Sequence, residues 1–247
     1  MIIRILLSLI LCISLLSCVN PQIQEQNPSV EELIQIETIP EKLDAEVVEE
    51  ILDISDSLIE FINGENMLEL KFKTFEMSID SIDIWNDEVD LREHNSDTII
   101  VYLDLGSSIE GKKIRIKQLL EGRLRVFQSY ENSITIMNEG PHCDMNDWKH
   151  YNSDWAEIEF LNDTIETNSY SEEEWNKFID VDMSEFIDAV RLHCGERWAA
   201  HAEGAKSPTD YPSGVSMSRI YLKVQYSNDK NGTVSTKIIA FEIPMGC

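Results

Sequence analysis

Basic residues are scarce in this chain of 247 residues: 20 Lys and Arg stand against 46 Asp and Glu, a net charge of −26. That shortage excludes nucleic acid as the expected partner, because a polyanion is repelled and no counterions are released on contact. Beyond residue 18 the chain also lacks an apolar run long enough to cross a bilayer, which takes roughly 20 residues. Catalytic signatures are missing as well. There is no Cys-x-x-Cys or His-Glu-x-x-His set of zinc ligands and no Gly-x-Ser-x-Gly elbow for a serine nucleophile. The acid-rich stretch 80–97 has no ordered Asp-x-Asp-x-Asp-Gly calcium loop and reads as solvated surface. With 46 carboxylates, acid pairs at glycosidase spacing decide nothing. Long repeats and low-complexity tracts are absent. Apolar residues, at 43%, suffice for a core and exclude wholesale disorder.

The first residues carry an address. Arg4 is a short positive region, and the run from Ile5 to Leu16 is apolar but too short to span a membrane. Leu15-Leu16-Ser17-Cys18 follows. This tetrad resembles the lipobox of bacterial lipoproteins. The resemblance implies that residues 1–17 are a signal peptide, that Cys18 is lipidated and becomes the mature N-terminus, and that the membrane is reached through lipid. Two acyl chains anchor stably where one is marginal. The expected location is the cell envelope, at the outer membrane facing the periplasm.

The acid excess is uneven. Residues 19–65 hold thirteen acids and one base, Lys42. Residues 18–43, with Asn20-Pro21 and Asn27-Pro28, read as a flexible acidic tether, and residues 44–247 as a single globular domain. Val47, Val48, Ile51, Leu52, Leu58, Ile59 and Ile62 fall at helical spacing, predicting an acidic amphipathic helix that stops at Gly64. Period-two alternation then predicts strands at 68–72, 75–79, 98–105, 113–117 and 123–130, with 133–137 folding back on the last through a short turn. A capping box, Ser171 with Glu174, opens a helical region, and a longer helix is expected over 184–202. A hairpin through Asn231-Gly232 closes the chain. The fold class is therefore α+β: an N-terminal acidic helix, a largely antiparallel sheet, a helix pair near 171–203 and a C-terminal β-hairpin.

Three features bear on chemistry. Gly106 to Lys112 fits the opening of a phosphate-binding loop, but Lys113 stands where Ser or Thr is needed and a strand follows instead of a helix, so it reads as a glycine-bounded loop. Residues 112–125 contain six bases and one acid. Arg115, Lys117, Arg123 and Arg125, placed on neighbouring strands, form a candidate stripe for an anionic ligand or for neutralising nearby acids. Two stretches concentrate the remaining chemistry: His142-Cys143-Asp144 with Trp148 and His150, and His193-Cys194 with Arg197, Trp198 and His201. Residues 193, 197 and 201 lie on one stripe if that segment is a continuous helix.

Three arrangements suit these stretches. A Cys143–Cys194 disulfide fits an extracytoplasmic protein, with Cys247 as an alternative partner for either thiol. A zinc or copper site from His142, Cys143, His150, His193 and His201 suits the ligand types but no established spacing. Simple packing of tryptophans with histidines at the core edge is the third. No catalytic residue is assigned and no cofactor is expected outside the metal alternative. The leading expectation is a non-catalytic envelope protein that binds a macromolecule, specifically a basic protein partner, with an inhibitor or immunity protein against an exported toxin as the pointed case. A metal-binding protein or metal-dependent hydrolase is the alternative, with Asp144 or Glu196 as base.

Overall fold

A computed structural model describes residues 60–64, 67–90, 97–138, 141–230 and 232–245. The signal, Cys18, the tether, most of the expected acidic helix and Cys247 lie outside the described residues. The last turn of that helix is described, and it is a strand: β1, Glu60–Gly64, pairs antiparallel with β2, Met67–Lys71, placing Ile62 opposite Glu69. The apolar spacing of Leu58, Ile59 and Ile62 therefore does not extend a helix to Gly64.

β2 and β3, Phe75–Asp80, form a hairpin in which Leu68, Leu70, Met77 and Ile79 all point inward. Phe72 and Phe75 stack at 4.5 Å where the chain turns. β6, Lys113–Gln118, pairs with β3, and β11, Thr164–Glu166, pairs with β6, completing a five-stranded antiparallel sheet in the order β1-β2-β3-β6-β11.

The second sheet has eight strands. Its main path is β10, Ala156–Ile158; β7, Arg123–Met137; β12, Ser213–Asn228; β13, Thr233–Glu242; β5, Thr98–Leu103; and β4, Ile84–Asp90. The short strands β8, His142–Asp144, and β9, Tyr151–Asn152, also pair with β7. All its pairings are antiparallel except β13 with β5. Side chains from both sheets, including Ile114 and Ile116 on one and Val126, Leu222 and Phe241 on the other, make one buried apolar cluster. The sheets thus pack face to face, and each has an outer face turned away from the other.

Two expectations of secondary structure are corrected here, and one stretch gains an element. Residues 123–137 form one continuous strand instead of two joined by a turn, because β12 pairs with β7 over nearly its whole length. The acid-rich stretch after Asp80 contains strand β4, anchored by Ile84 opposite Leu103. The long helix over 184–202 is two helices, α2, Met183–His193, and α3, Glu196–Ala202. Gly195 separates them at φ +94, a left-handed conformation that glycine alone adopts without strain. The capping box forms as expected, with Glu174 N–H donating to Ser171 Oγ and the Glu174 carboxylate accepting from Ser171 N–H, but α1 spans only Glu172–Trp175.

β7 and β12 are longer than the sandwich. Their far ends, carrying Ile134, Ile136 and Val215, lie under α2 and α3 with Met145, Phe186, Val190 and Ala199 in a second apolar cluster. Between the two clusters β7 is buried and polar: Gln128, Ser129, Glu131, Asn132 and Ser133 are all nearly or fully inaccessible. The described architecture is mostly β with a few short helices, which is α+β in the broad sense.

Candidate binding face

Cys143 and Cys194 are joined in a disulfide that closes 51 residues. It ties β8 to the C-cap of α2 at the edge of the second cluster. In the chain-entropy model a loop of that length contributes up to about 4 kcal/mol. Both thiols are thereby withdrawn from metal ligation. Trp148 and Trp198 pack against the same cluster, as the packing arrangement anticipated.

The histidines go to separate places. His142 Nε2 lies 3.3 Å from Asp144 Oδ2, while Asp144 Oδ1 accepts from Thr135 Oγ1 at 2.7 Å. His201 Nε2 is 3.1 Å from the Met137 carbonyl, and its ring stands edge-on to Tyr211. His193 is exposed at the end of α2. The break at Gly195 removes the stripe of residues 193, 197 and 201. Among the described residues, no three His, Cys, Asp or Glu side chains gather at a site that could hold a metal ion.

His150 joins a buried cluster that the sequence reading missed. Its Nδ1 is 3.0 Å from Ser133 Oγ and 3.8 Å from Glu131 Oε1. Glu131 Oε2 accepts from the Tyr221 hydroxyl at 2.8 Å, and Oε1 lies 3.3 Å from both Ser218 Oγ and Arg219 Nη1. Arg219 also bonds Glu242 at 2.9 and 3.1 Å. Serine, histidine and glutamate together suggest a nucleophilic triad, but the geometry does not support one. A triad needs the acid on one ring nitrogen and the serine on the other. Here both address Nδ1, and Ser133 is fully buried. The cluster instead engages polar groups buried between the two apolar clusters. Burial opposes charge on Arg219, but Glu242 and Glu131 more than offset it and raise its pKa. Tyr221 is held protonated by burial first and then by Glu131. The signal was present in the sequence: residues 128–133 place polar side chains at both parities of a strand.

The basic stripe is divided between the two sheets. Arg115 and Lys117 alternate with buried Ile114 and Ile116 on β6, so they project from the outer face of the five-stranded sheet. Lys117 pairs there with Glu76 at 3.4 Å. Arg123 and Arg125 alternate with buried Leu124 and Val126 on β7, and project from the outer face of the other sheet, on the opposite side of the sandwich.

The Arg123–Arg125 half meets different neighbours. The antiparallel register puts Phe127 of β7 between Glu157 of β10 and Lys223 of β12. Arg125 lies 4.8 Å from the centre of the Phe127 ring and Lys223 4.7 Å from it. Trp155, on the loop entering β10, brings its ring to 4.1 Å from the same Lys223 ammonium and stands edge-on to Tyr221 at 6.3 Å. Arg125 grips Glu157 through two bonds, at 2.8 and 2.6 Å, so their charges cancel locally. The Glu157 carboxyl is held below its ordinary range by that arginine. Lys223 has no carboxylate within 4.0 Å among the described residues; burial and then Arg125 push its pKa down. A cleft of about 460 Å³ lies beside the Arg125–Glu157 pair, lined by Arg123, Leu124, Arg125, Glu157, Ile158 and Phe160 among others.

Such a face combines partly exposed aromatics with cations whose positions are fixed by ring contacts, each worth about 0.5–1 kcal/mol at an exposed site. It can grip a surface. The chain matches no protein-family model, no curated protein and no solved structure.

Proposed function

We propose that this chain is a lipid-anchored envelope protein, held at the outer membrane through Cys18, whose globular domain is a non-catalytic binding module for another protein. The contact surface is the outer face of the eight-stranded sheet around Phe127, Trp155, Tyr221 and Lys223. One observation carries this reading: aromatic rings and cations converge from two strands and a loop onto one partly exposed outer face. Trp, Tyr and Arg are the residues that most often dominate binding energy at protein interfaces. An inhibitor or immunity protein against an exported toxin is the specific form of this reading, and the acidic remainder of the surface suits a partner that is basic overall.

Affinity capture from envelope extracts tests it, using the full chain at low and high salt beside a Phe127→Ser, Trp155→Ala double variant. The expected result is a protein retained by the wild type and lost from the variant. Retention of no protein at low salt, or of the same proteins by both chains, overturns the reading. Labelling with an alkynyl palmitate tests the anchor, and Cys18→Ser is expected to abolish it.

A further inference from the structure

We propose that Lys223 is the receptor for a carboxylate side chain of the partner, so that the partner meets this acidic protein through a short acidic segment. The proposal rests on the binding reading above and names the chemistry of its contact.

Lys223 is held between two rings, 4.7 Å from Phe127 and 4.1 Å from Trp155, with no carboxylate of its own among the described residues. Glu157, on the far side of Phe127 in the register, is already engaged by both bonds of Arg125. An ammonium in this setting keeps donor capacity that the rings do not use, because ring faces attract charge but accept no strong hydrogen bond. The rings also shield the site from water, which strengthens a carboxylate contact relative to one on open surface. Arg123, exposed and without an ion pair among the described residues, adds positive charge at the same end of β7.

A stacking ligand such as a sugar ring or a base fits less well. The face of Phe127 is shared by Arg125 and Lys223, and Trp155 is taken up by Lys223 and Tyr221. An extended polyanion is disfavoured by the net charge of −26. A short acidic segment escapes that repulsion because charges beyond about 8 Å are screened at physiological ionic strength.

The test follows the Trp155 indole N–H cross-peak of the isotope-labelled full chain in detergent at 0.15 M salt, the peak being assigned with Trp155→Phe. A hexaglutamate peptide is expected to move this peak saturably. Lys223→Met, which keeps the apolar stem, is expected to weaken the apparent affinity by about tenfold, the scale of one well-placed charge contact. Lys223→Arg keeps the charge and is expected to retain binding, which separates loss of charge from damage to the face. Arg115→Met, on the opposite sheet, is expected to leave binding unchanged. The proposal is overturned if Lys223→Met binds hexaglutamate like the wild type, if only hexalysine moves the peak, or if inorganic phosphate alone reproduces the shift at the same concentration. If envelope capture still succeeds through this face while hexaglutamate does not bind, the carboxylate receptor fails and the binding module stands.

Discussion

Strands β7 and β12 pass through two environments, and the difference between them explains most of the molecule. In the sandwich their inward residues, Leu124, Val126, Leu222 and Val224, alternate with outward polar or aromatic ones, and burial of apolar area is the stabilising term. Beyond Gln128 both faces are covered, and alternation gives way to buried polar residues whose amide N–H groups are engaged, while Asn132 Oδ1 meets no donor among the described residues. Gln128 donates to the Asn168 carbonyl and to Tyr170 Oη, and Asn132 donates to the carbonyls of Glu174 and Lys177. β12 adapts at the same level with a bulge between Met217 and Arg219, which lets Ser218 reach Ser133 and Glu131. The sandwich is held by area, whereas the helical end adds specific bonds and one covalent link to a smaller apolar cluster of its own.

That comparison predicts a graded set of outcomes. The largest belongs to the shared core: Phe241→Ala should cost about 3–5 kcal/mol, and circular dichroism and tryptophan fluorescence should lose structure at one denaturant midpoint. Separate midpoints would show that the two ends are not one cooperative unit. Replacing Cys143 and Cys194 by serine should cost up to about 4 kcal/mol, but with a local signature. Hydrogen exchange should rise in α2 and α3 more than in β6 or β13; equal acceleration everywhere would remove the distinction between the ends.

A smaller effect is expected of Asn132→Ala, which strands the carbonyls of Glu174 and Lys177. Its cost should be about 1–3 kcal/mol, with exchange rising between α1 and α2 while β2 and β3 stay protected. Tryptophan exposure restricted to the sandwich side would contradict this placement.

The mildest effect is one of acid. Glu174 is held below its ordinary pKa by the Ser171 backbone N–H and then by its hydroxyl. Asp182, the N-cap of α2, is lowered by the Ser184 hydroxyl and then by the N–H groups of Ser184 and Glu185. Carboxyls depressed in the folded state take up protons later than in the unfolded chain. Their contribution is complete at neutral pH and is lost as pH falls through and below about 4. Helical circular dichroism should therefore decline on acidification before the β signal does, and Asp182→Asn should flatten that early phase.

The pattern of faces was legible in the sequence because alternation directly reports one-sided burial: Leu68/Leu70, Met77/Ile79 and Ile114/Ile116 were all placed correctly. The capping box at Ser171 and the terminal hairpin were equally local, and both formed. The disulfide stood among alternatives, since cysteine spacing alone does not choose a partner. What failed had a common cause. Ser133–Met137 looked like a separate strand because residues 128–133 are polar, and only the bonds of Gln128 to Asn168 and Tyr170 and of Asn132 to Glu174 and Lys177 explain why a strand runs through them buried. The helix over 184–202 looked continuous because nothing local weighed Gly195 against its neighbours. Arg115, Lys117, Arg123 and Arg125 looked like one stripe because sequence proximity does not say which sheet a strand joins.

By itself the sequence determined the strand faces, the helix start at Ser171 and the charge, because each is set within a few residues by steric period, hydrogen-bond chemistry or composition. Only the tertiary structure decided which cations share a face. Phe127, Trp155 and Lys223 are separated by 28 and 68 residues along the chain, and strand order and register alone bring them within 5 Å of one another's charge and rings.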